Sequence, residues 1–498
     1  MAEFDLAIIG GGVNGTAIAR DAAGRGLRVL LVEQNDLGAG TSSASSKLIH
    51  GGLRYLQHAA FRLVHEALAE REVLLRMAPH IVRPLRFMLP PIGGFGEAAI
   101  LRTGLFIYDR LAGRNILPGT RTVDLTHHPV GQPLKRTFRY GFEYSDCSVD
   151  DARFVVLMAM DAKNRGADIR TRTRCIRAER QDEWQLVLNN RGRRQTATAR
   201  VLINAAGPWI AQVAETVLRV PLSDGVRLVK GSHIVVPRTF NHDAAYTFQG
   251  TDGRIVFALP FARDFTLIGT TDENFIGDVA SPAPDADEII YLCNAVNRYF
   301  RITVSPDEVV WAFAGVRPLH DDGSNKPEDV TRDYHLALDE RFREAPVLTI
   351  YGGKITTARR LAEAALGQIA HFFQLRGPWT EQSTLPGGEF APDEFDQQVT
   401  RARNRWEFLD EAQAHRLVAA YGTRIEQILG NAKSLADLGA AFGGGVTAAE
   451  VRYLMQHEWA QIAEDIQWRR GKSGLVATPA ESEALDRFVR ENAAAVGA

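Results

Sequence analysis

Three cationic side chains in this 498-residue sequence are of the type that binds an oxyanion. Arg54 and Arg317 can each donate paired hydrogen bonds to a phosphate or carboxylate, and Lys354 adds a compact positive charge. Each lies within a few residues of glycines. Tyr55 and Thr270 offer hydroxyls to the same anion, although both are equally well explained as packed structural residues. A solvated surface position is the ordinary alternative for the arginines.

Two histidines are candidates to accept the proton that an alcohol releases on oxidation, because the reference pKa of imidazole is near 6.5. His50 precedes Gly51-Gly52, and His233 follows Lys230-Gly231-Ser232. The sequence does not choose between them, and a structural histidine is the commoner role for either. No H-E-x-x-H or C-x-x-C motif occurs, so we predict no metal site.

The first forty residues predict the element that holds a dinucleotide. An apolar strand, a glycine-rich turn, a helix and a second strand follow one another at residues 6–9, 10–15, 16–23 and 28–32. Gly10, Gly12 and Gly15 form the G-x-G-x-x-G pattern, which allows a tight turn and close approach to a pyrophosphate. Glu33 ends the second strand and can accept a hydrogen bond from a ribose hydroxyl. This order predicts dinucleotide binding and argues against NADP, but it does not separate FAD from NAD.

Longer motifs resemble those of FAD-dependent, quinone-linked glycerol-3-phosphate dehydrogenases, and they extend over nearly the whole chain. The most specific are Gly40–Leu56 and Tyr351–Thr357. The others are Asn204–Trp209, Gly269–Asp272, Gly315–Leu319 and, more loosely, Trp468–Ser473.

The resemblance implies FAD as the cofactor, glycerol 3-phosphate as the substrate and ubiquinone or a related quinone as the electron acceptor. A hydride would pass from C2 of the substrate to N5 of the flavin, giving dihydroxyacetone phosphate. The expected catalytic residues are His50, His233, Arg317 and Lys354, and the expected substrate-binding residues are Arg54, Tyr55, Thr270, Arg317 and Lys354. The expected FAD-binding residues are Gly10, Gly12, Gly15, Glu33, Thr41, Ser42, Ser45, Ser46, Lys47, Leu48, Ala206, Gly207, Gly353, Lys354 and Thr356.

The flavin-binding motifs are dispersed along the chain, which predicts a Rossmann-like sheet assembled from separate segments. We assign residues 1–80, 145–220 and 310–375 to this α/β FAD-binding domain. Strand-like runs between them, such as His233–Val236 and Arg254–Leu259, predict an antiparallel cap over the substrate, at residues 81–144 and 221–309. Residues 388–498 read as a C-terminal helical domain, with apolar spacing at Leu417, Val418, Tyr421, Ile425 and Ile428.

Composition and local charge suggest where the protein works. The apolar fraction of 45% and the net charge of −2 are ordinary for a globular protein and do not favour a nucleic acid as partner. Three unclustered cysteines, no signal-peptide pattern and no long apolar run predict a protein facing the cytoplasm. Apolar residues are interleaved with arginines from Arg83 to Arg114, a pattern that suits an interfacial helix on anionic lipid. The resemblance implies a peripheral membrane enzyme and is what favours this interpretation. A core helix under a basic surface is the alternative.

Other functions fit the same scaffold. An oxygen-using glycerol-3-phosphate oxidase would differ only in the acceptor, and an amino-acid or 2-hydroxyacid oxidase would bind a carboxylate instead of a phosphate. A non-enzymatic FAD-binding sensor is a further alternative. The oligomeric state stays open, with a homodimer among the arrangements considered, and the sequence does not say whether the flavin is covalently linked.

Overall fold

A computed structural model describes residues 2–53, 60–92, 95–113, 116–321, 323 and 333–496. The strands are β1 (Phe4–Ile9), β2 (Val29–Val32), β3 (Leu48–Ile49), β4 (Val82–Leu89), β5 (Arg121–Asp124), β6 (Tyr140–Val149), β7 (Asp168–Arg170), β8 (Thr173–Arg180), β9 (Trp184–Asn190), β10 (Arg193–Asn204), β11 (Val226–Pro237), β12 (Ala245–Gln249), β13 (Ile255–Phe261), β14 (Phe265–Gly269), β15 (Glu273–Asn274), β16 (Trp311–His320), β17 (His335–Arg341) and β18 (Glu344–Tyr351). The α-helices are α1 (Val13–Gly24), α2 (Phe61–Met77), α3 (Phe95–Leu111), α4 (Asp151–Asn164), α5 (Ile210–Gln212), α6 (Ala286–Asn297), α7 (Ala358–Gln368), α8 (Phe395–Arg405), α9 (Glu411–Tyr421), α10 (Ile425–Leu429), α11 (Ala448–His457) and α12 (Pro479–Val496).

The first sheet is the predicted Rossmann-like sheet. Its strand order is β17-β18-β10-β1-β2-β7, and the strands from β18 to β7 are parallel. Strands β8 and β9 extend it as an antiparallel hairpin joined to β10. The apolar run that forms β1 is buried on both faces because α1, α4 and α7 cover one side and the β8–β9 hairpin lies on the other.

The second sheet is almost entirely antiparallel. Its order is β15-β11-β14-β13-β12-β4-β6-β3, with β16 paired to β11 and β5 paired to β6. Only β12 and β4 run parallel among these described pairings. Helix α6 packs on this sheet, and an Asp285–Glu288 capping box starts it at Ala286.

The strands divide between the two sheets differently from our segment boundaries at three places. Strand β3 lies within 1–80 but pairs with β6 in the second sheet. Strand β16 lies within 310–375 but pairs along its whole length with β11 in the second sheet. Strand β6 crosses the boundary between residues 144 and 145 and also belongs to the second sheet. All three are pairings between distant segments, which local sequence patterns do not reveal. As a result, Arg317 lies on the second sheet and Lys354 just after the first.

The C-terminal region is helical and has its own core. Helices α8 to α12 pack around buried residues that include the five apolar positions noted in the sequence. The fold class is therefore the predicted one: an α/β FAD-binding fold with a second sheet and a C-terminal helical domain. In the ranges that the structure describes, no helix is long and apolar enough to cross a membrane.

One local prediction was wrong in part. The segment from Arg83 to Arg114 is not a continuous helix, since its first part is strand β4 inside the second sheet. The Arg83 guanidinium stacks 3.7 Å above the Phe395 ring, and Arg86 pairs with Glu143 at 2.7 Å, so neither faces a lipid surface freely. Only α3 remains as a candidate interfacial helix. Arg114 lies outside the described residues.

Candidate active site

A cavity of about 660 Å³ runs between the two sheets. It begins at the carboxyl ends of β1 and β2, where ligands bind in open α/β sheets, and it ends against the second sheet. Most of the predicted cofactor residues line it: Gly10, Gly12, Glu33, Thr41, Ser42, Ser45, Ser46, Leu48, Ala206, Gly207, Gly353, Lys354 and Thr356. Gly15 and Lys47 are the two predicted cofactor residues that do not line it.

The glycine-rich turn after β1 is held by backbone packing. Gly10 has a φ of 115°, and a Cβ there would lie 2.4 Å from the Ala205 carbonyl oxygen. A Cβ on Gly15 would lie 2.0 Å from the Gly10 carbonyl oxygen. Gly15 is therefore required for α1 to approach β1, while Gly10 and Gly12 line the cavity.

Glu33 is fixed at the end of β2. Its carboxylate accepts hydrogen bonds from the backbone N–H groups of Gly11 at 2.7 Å and Asn35 at 2.8 Å. Burial raises the pKa of this carboxyl, and the two backbone donors partly oppose that rise. The oriented acid lines the cavity, where it is suited to a ribose hydroxyl.

Two helix starts face the cavity near one another. Ser42 accepts a hydrogen bond from the Val13 N–H at 3.0 Å, which ties the hydroxyl-rich loop to the start of α1. Asn14 donates to the Gly352 carbonyl at 3.0 Å, which links this start to the turn before α7. No side chain among the described residues caps the turn at Lys354 that leads into α7. Its first N–H groups are thus available to an anion.

The hydroxyl-rich loop is held in place by a buried carboxylate. Asp151 accepts hydrogen bonds from the Ser45 hydroxyl at 2.8 Å and from the Lys47 ammonium at 2.8 Å. The Lys47 side chain therefore points into the protein and does not reach the cavity, contrary to the direct cofactor contact that we expected. Its charge neutralises Asp151, because an unpaired buried carboxylate would be costly.

The two candidate bases occupy different positions. His50 lines the cavity, and burial together with the charge of Lys354 lowers its pKa to about 4. His233 is buried behind the cavity wall, where Nε2 lies 2.9 Å from the Ser46 hydroxyl and the ring stacks on Phe313. Burial, followed by Arg317 and Lys47, lowers the pKa of His233 well below its usual value. Both imidazoles are neutral at neutral pH, but only His50 faces the cavity.

Arg317, Thr270 and Lys354 line the cavity, as His50 does. Arg317 forms an ion pair with Asp272 at 2.7 Å, which orients its guanidinium. Arg54 and Tyr55 lie outside the described residues. We did not single out Asp272 from the sequence, although it lies two residues after Thr270 in a quoted motif.

A second positioning network was not foreseen. The Tyr108 hydroxyl accepts a hydrogen bond from the Gly51 N–H at 2.8 Å and donates to Asp146 at 2.8 Å. Arg71 pairs with the same carboxylate at 2.8 Å, and all three side chains are buried. The residues come from α2, α3 and β6, far apart in the sequence, so no local motif could have identified them. The network holds the backbone beside His50.

The lining of the cavity fits FAD. The Glu33 carboxylate suits the ribose, and the glycine-rich turn and the hydroxyls of residues 41–46 suit the pyrophosphate and the ribityl chain. The uncapped turn before α7 also lines the cavity.

Comparison with known proteins gives the same cofactor. The FAD dependent oxidoreductase family model matches residues 5–359, and the model of the C-terminal domain of alpha-glycerophosphate oxidase matches residues 378–497. A glycerol-3-phosphate dehydrogenase of Pseudomonas aeruginosa is 49% identical over 98% of this chain and 95% of that protein. The chain belongs to the FAD-dependent glycerol-3-phosphate dehydrogenase family. FAD is its cofactor.

Two further members of the group bear on substrate and fold. A D-erythritol 1-phosphate dehydrogenase of Brucella abortus is 48% identical over 97% of this chain and 96% of that protein. The solved structure of the glycerol-3-phosphate dehydrogenase of Bacillus halodurans, complexed with FAD, has 25% identity and a TM-score of 0.78. That alignment covers 99% of this chain and 92% of the Bacillus chain.

Proposed function

We propose that this chain oxidises sn-glycerol 3-phosphate to dihydroxyacetone phosphate and passes the electrons to a membrane quinone. The supporting observation is that two cations, a hydroxyl and a neutral base line one cavity, namely Arg317, Lys354, Thr270 and His50. A phosphorylated secondary alcohol needs both kinds of group. FAD, when bound, supplies the acceptor for the hydride that leaves C2 of the substrate.

Arg317 and Lys354 bind the phosphate in this proposal. Asp272 holds the Arg317 guanidinium by an ion pair of 2.7 Å, which fixes the geometry in which the guanidinium can meet an oxyanion. The Thr270 hydroxyl adds a hydrogen bond to the same end of the substrate. Arg54 and Tyr55 remain further candidates for this site, on the strength of the motif alone.

His50 receives the C2 hydroxyl proton. Because its pKa is about 4 in the protein without ligand, the imidazole is neutral at neutral pH, and one of its two ring nitrogens can accept a proton. Burial is the larger cause of this low pKa, and a bound phosphate dianion would partly cancel the smaller effect of the Lys354 charge. His233 positions Ser46 through the 2.9 Å contact.

The membrane surface in this proposal is the outer face of α3 and its neighbours, which we call the α3 face. It consists of the exposed apolar residues Phe61, Ile92, Ile100, Phe106 and Ile116 together with Arg102 and Arg110. The Arg110 guanidinium lies 5.0 Å from the centre of the Phe106 ring. Apolar groups interleaved with arginines suit an anionic bilayer surface.

The cavity has an apolar end beside this face. It is lined there by Leu53, Ala60, Leu63, Leu89, Pro90, Pro91 and Leu101. Because Leu101 belongs to α3, a quinone that leaves the bilayer at the α3 face would enter an apolar passage towards the site. This arrangement supports a lipid-soluble acceptor over oxygen.

D-erythritol 1-phosphate is the second candidate substrate, because the Brucella abortus D-erythritol 1-phosphate dehydrogenase is 48% identical to this chain, against 49% for the Pseudomonas aeruginosa glycerol-3-phosphate dehydrogenase. It presents the same primary phosphate and adjacent secondary hydroxyl, with one more hydroxylated carbon. The phosphate-binding and proton-accepting groups would serve either compound.

Anaerobic reduction of the FAD-loaded protein tests the proposal. Glycerol 3-phosphate should bleach the flavin, and D-erythritol 1-phosphate or a 2-hydroxyacid should do so more slowly at equal concentration. A soluble quinone should then restore the oxidised flavin faster than air. Bleaching by D-erythritol 1-phosphate alone would move the assignment to that substrate, and reoxidation fastest in air would make the protein an oxidase.

A further inference from the structure

Three metal-ligating side chains meet away from the FAD cavity. Asp224 lies in the loop before β11, His320 ends β16 and His335 begins β17. One ligand atom of each lies within 4.8 Å of the other two. The Asp224 carboxylate is 3.4 Å from Nε2 of His320 and 3.3 Å from Nε2 of His335. We call this set the Asp224 cluster.

We propose that the Asp224 cluster binds a divalent transition metal ion, with Zn²⁺ the best match. Bonds from zinc to nitrogen or oxygen are about 2.0–2.2 Å, so the ligand atoms of a tetrahedral site lie roughly 3.3–3.5 Å apart. Each imidazole Nε2 already lies at this distance from an oxygen of the Asp224 carboxylate, His320 from Oδ1 and His335 from Oδ2. Two imidazoles and a carboxylate with a position left for water form a donor set that zinc favours over magnesium or calcium.

The surroundings favour ligation over simple hydrogen bonding. Distances of 3.3 and 3.4 Å are at the outer limit for a hydrogen bond, and one carboxylate faces both imidazoles. The two imidazole rings lie against each other with centroids 4.5 Å apart and planes tilted by 38°, and the buried Tyr351 ring packs against both. Tyr351 therefore limits how far the histidines can rotate apart. Partial exposure of all three side chains, between 24% and 43%, gives the ion an entry path.

A bound ion would join the two sheets next to the substrate site. His320 is on the second sheet three residues after Arg317, while His335 is on the first sheet and pairs with Tyr351. The N–H of Gly352, the residue after β18, donates to the carbonyl of Pro318 in β16 at 2.8 Å, so the two sheets already approach one another here. A metal that binds the folded chain should stabilise it by mass action. The motif search of the sequence missed the cluster because its residues are up to 111 positions apart.

Zinc binding to tag-free, FAD-loaded protein tests the proposal without using activity. Chelator-treated protein is dialysed against Zn²⁺, and bound metal is measured by elemental analysis. We expect a single zinc ion per chain and a higher midpoint of thermal unfolding with the ion. His320→Ala and His335→Ala should each weaken binding at least about tenfold. His371→Ala is the matched control, because His371 also faces a carboxylate, Glu340 at 3.3 Å, without a third ligand.

Flavin absorbance and the unfolding midpoint without metal show whether each variant is folded. If an alanine variant loses FAD, Asp224→Asn decides, since it keeps the side-chain size and removes the anionic ligand. Zinc uptake equal to the parent in the folded histidine variants, or no uptake by the parent, would overturn the proposal. Neither result depends on which substrate the enzyme uses.

Discussion

At the scale of single residues, the Arg317–Asp272 pair is the clearest test of phosphate binding. Removal of the guanidinium in Arg317→Ala should lower kcat/KM for glycerol 3-phosphate by roughly ten- to a hundredfold, because a hydrogen bond to a charged group contributes about 1.5–3 kcal/mol. FAD absorbance should persist. Steady-state kinetics with a soluble dye as acceptor measure the effect.

Arg254→Ala is the matched control for that variant. Arg254 lies beside the same sheet, pairs with Glu273 at 2.7 Å and is not among the residues that line the cavity. Its replacement should leave kcat/KM within about twofold of the parent, since surface ion pairs contribute little. Equal losses in the two variants would mean that a general electrostatic effect, and not direct phosphate contact, is responsible.

A second prediction for single residues concerns which of His50 and His233 accepts the substrate proton. His50→Gln should slow anaerobic flavin reduction by roughly a hundredfold or more, in line with the usual contribution of a positioned base. His233→Gln can keep the hydrogen bond to Ser46 and should slow the same step much less. Stopped-flow measurement of flavin bleaching compares them. The opposite order would assign proton transfer to His233 acting through Ser46.

At the scale of elements, two glycines between β1 and the first turn of α1 have different roles, one in cofactor binding and one in folding. A Cβ on Gly12 would meet the Ser42 hydroxyl at 3.1 Å in the cavity wall, whereas one on Gly15 would be 2.0 Å from the Gly10 carbonyl. Gly12→Ala should therefore give folded protein with little FAD. Gly15→Ala should lower the unfolding midpoint of the apoprotein itself. Flavin content and thermal unfolding distinguish the two, and a Gly15→Ala protein as stable as the parent would contradict this account.

The elements show which structural features the sequence alone could predict. Strand β1, the glycine-rich turn and α1 follow local rules of periodicity and turn formation, so their positions were predicted closely. The pairing of β16 with β11 and the burial of β4 depend on contacts between distant segments. The same distinction applies to the site: the cavity-lining glycines and hydroxyls lie in motifs, whereas Asp151, Asp146 and Tyr108 act through distant contacts.

The prediction on membrane docking concerns the basic residues of α3. Arg102→Glu with Arg110→Glu should weaken co-sedimentation with anionic vesicles at least tenfold, because each basic side chain near such a surface contributes about 1 kcal/mol. Reduction of a water-soluble dye should be unchanged, and reduction of a long-chain quinone in vesicles should fall. High salt should reproduce the loss only in part, since apolar contact is not screened.

A control with the same change in charge separates docking from net charge. Arg136 and Arg139 are exposed basic residues outside α3. Arg136→Glu with Arg139→Glu should bind vesicles nearly as the parent does. If both double variants lose binding equally, the α3 face is not the docking surface.

At the scale of the whole molecule, buried ion pairs join the C-terminal helical domain to the cofactor-binding sheet. Asp36, three residues after Glu33, pairs with Arg469 at 2.7 Å and also with Arg470. Arg153 on α4 forms two hydrogen bonds with Glu458, of 2.6 and 2.9 Å. The Trp468–Ser473 motif therefore has a structural explanation, because two of its arginines neutralise a carboxylate in the loop that follows β2. The helical domain supports the FAD site through this contact.

His80 lies near the same junction. Its buried imidazole should make the stability of the whole chain depend on pH. It is fully buried, packs near Phe390 and has no hydrogen-bond partner for either ring nitrogen among the described residues. Burial, with a smaller effect from Arg153, lowers the pKa of His80 to about 3. Between that value and the unfolded pKa near 6.5, the unfolded chain binds the extra proton, so stability falls as the pH falls.

The neutral imidazole of His80 should account for roughly 2 kcal/mol of the stability lost between about pH 6.5 and pH 5. His80→Leu removes the titrating group from an apolar site, so its unfolding midpoint should drop less than that of the parent over this range. Thermal unfolding followed by circular dichroism at each pH measures the difference. The exposed His127 serves as the control, because His127→Ala should leave the pH dependence as it is in the parent. If the parent and His80→Leu lose the same stability on acidification, the proton uptake that destabilises the fold occurs elsewhere, and the junction with the helical domain does not sense pH.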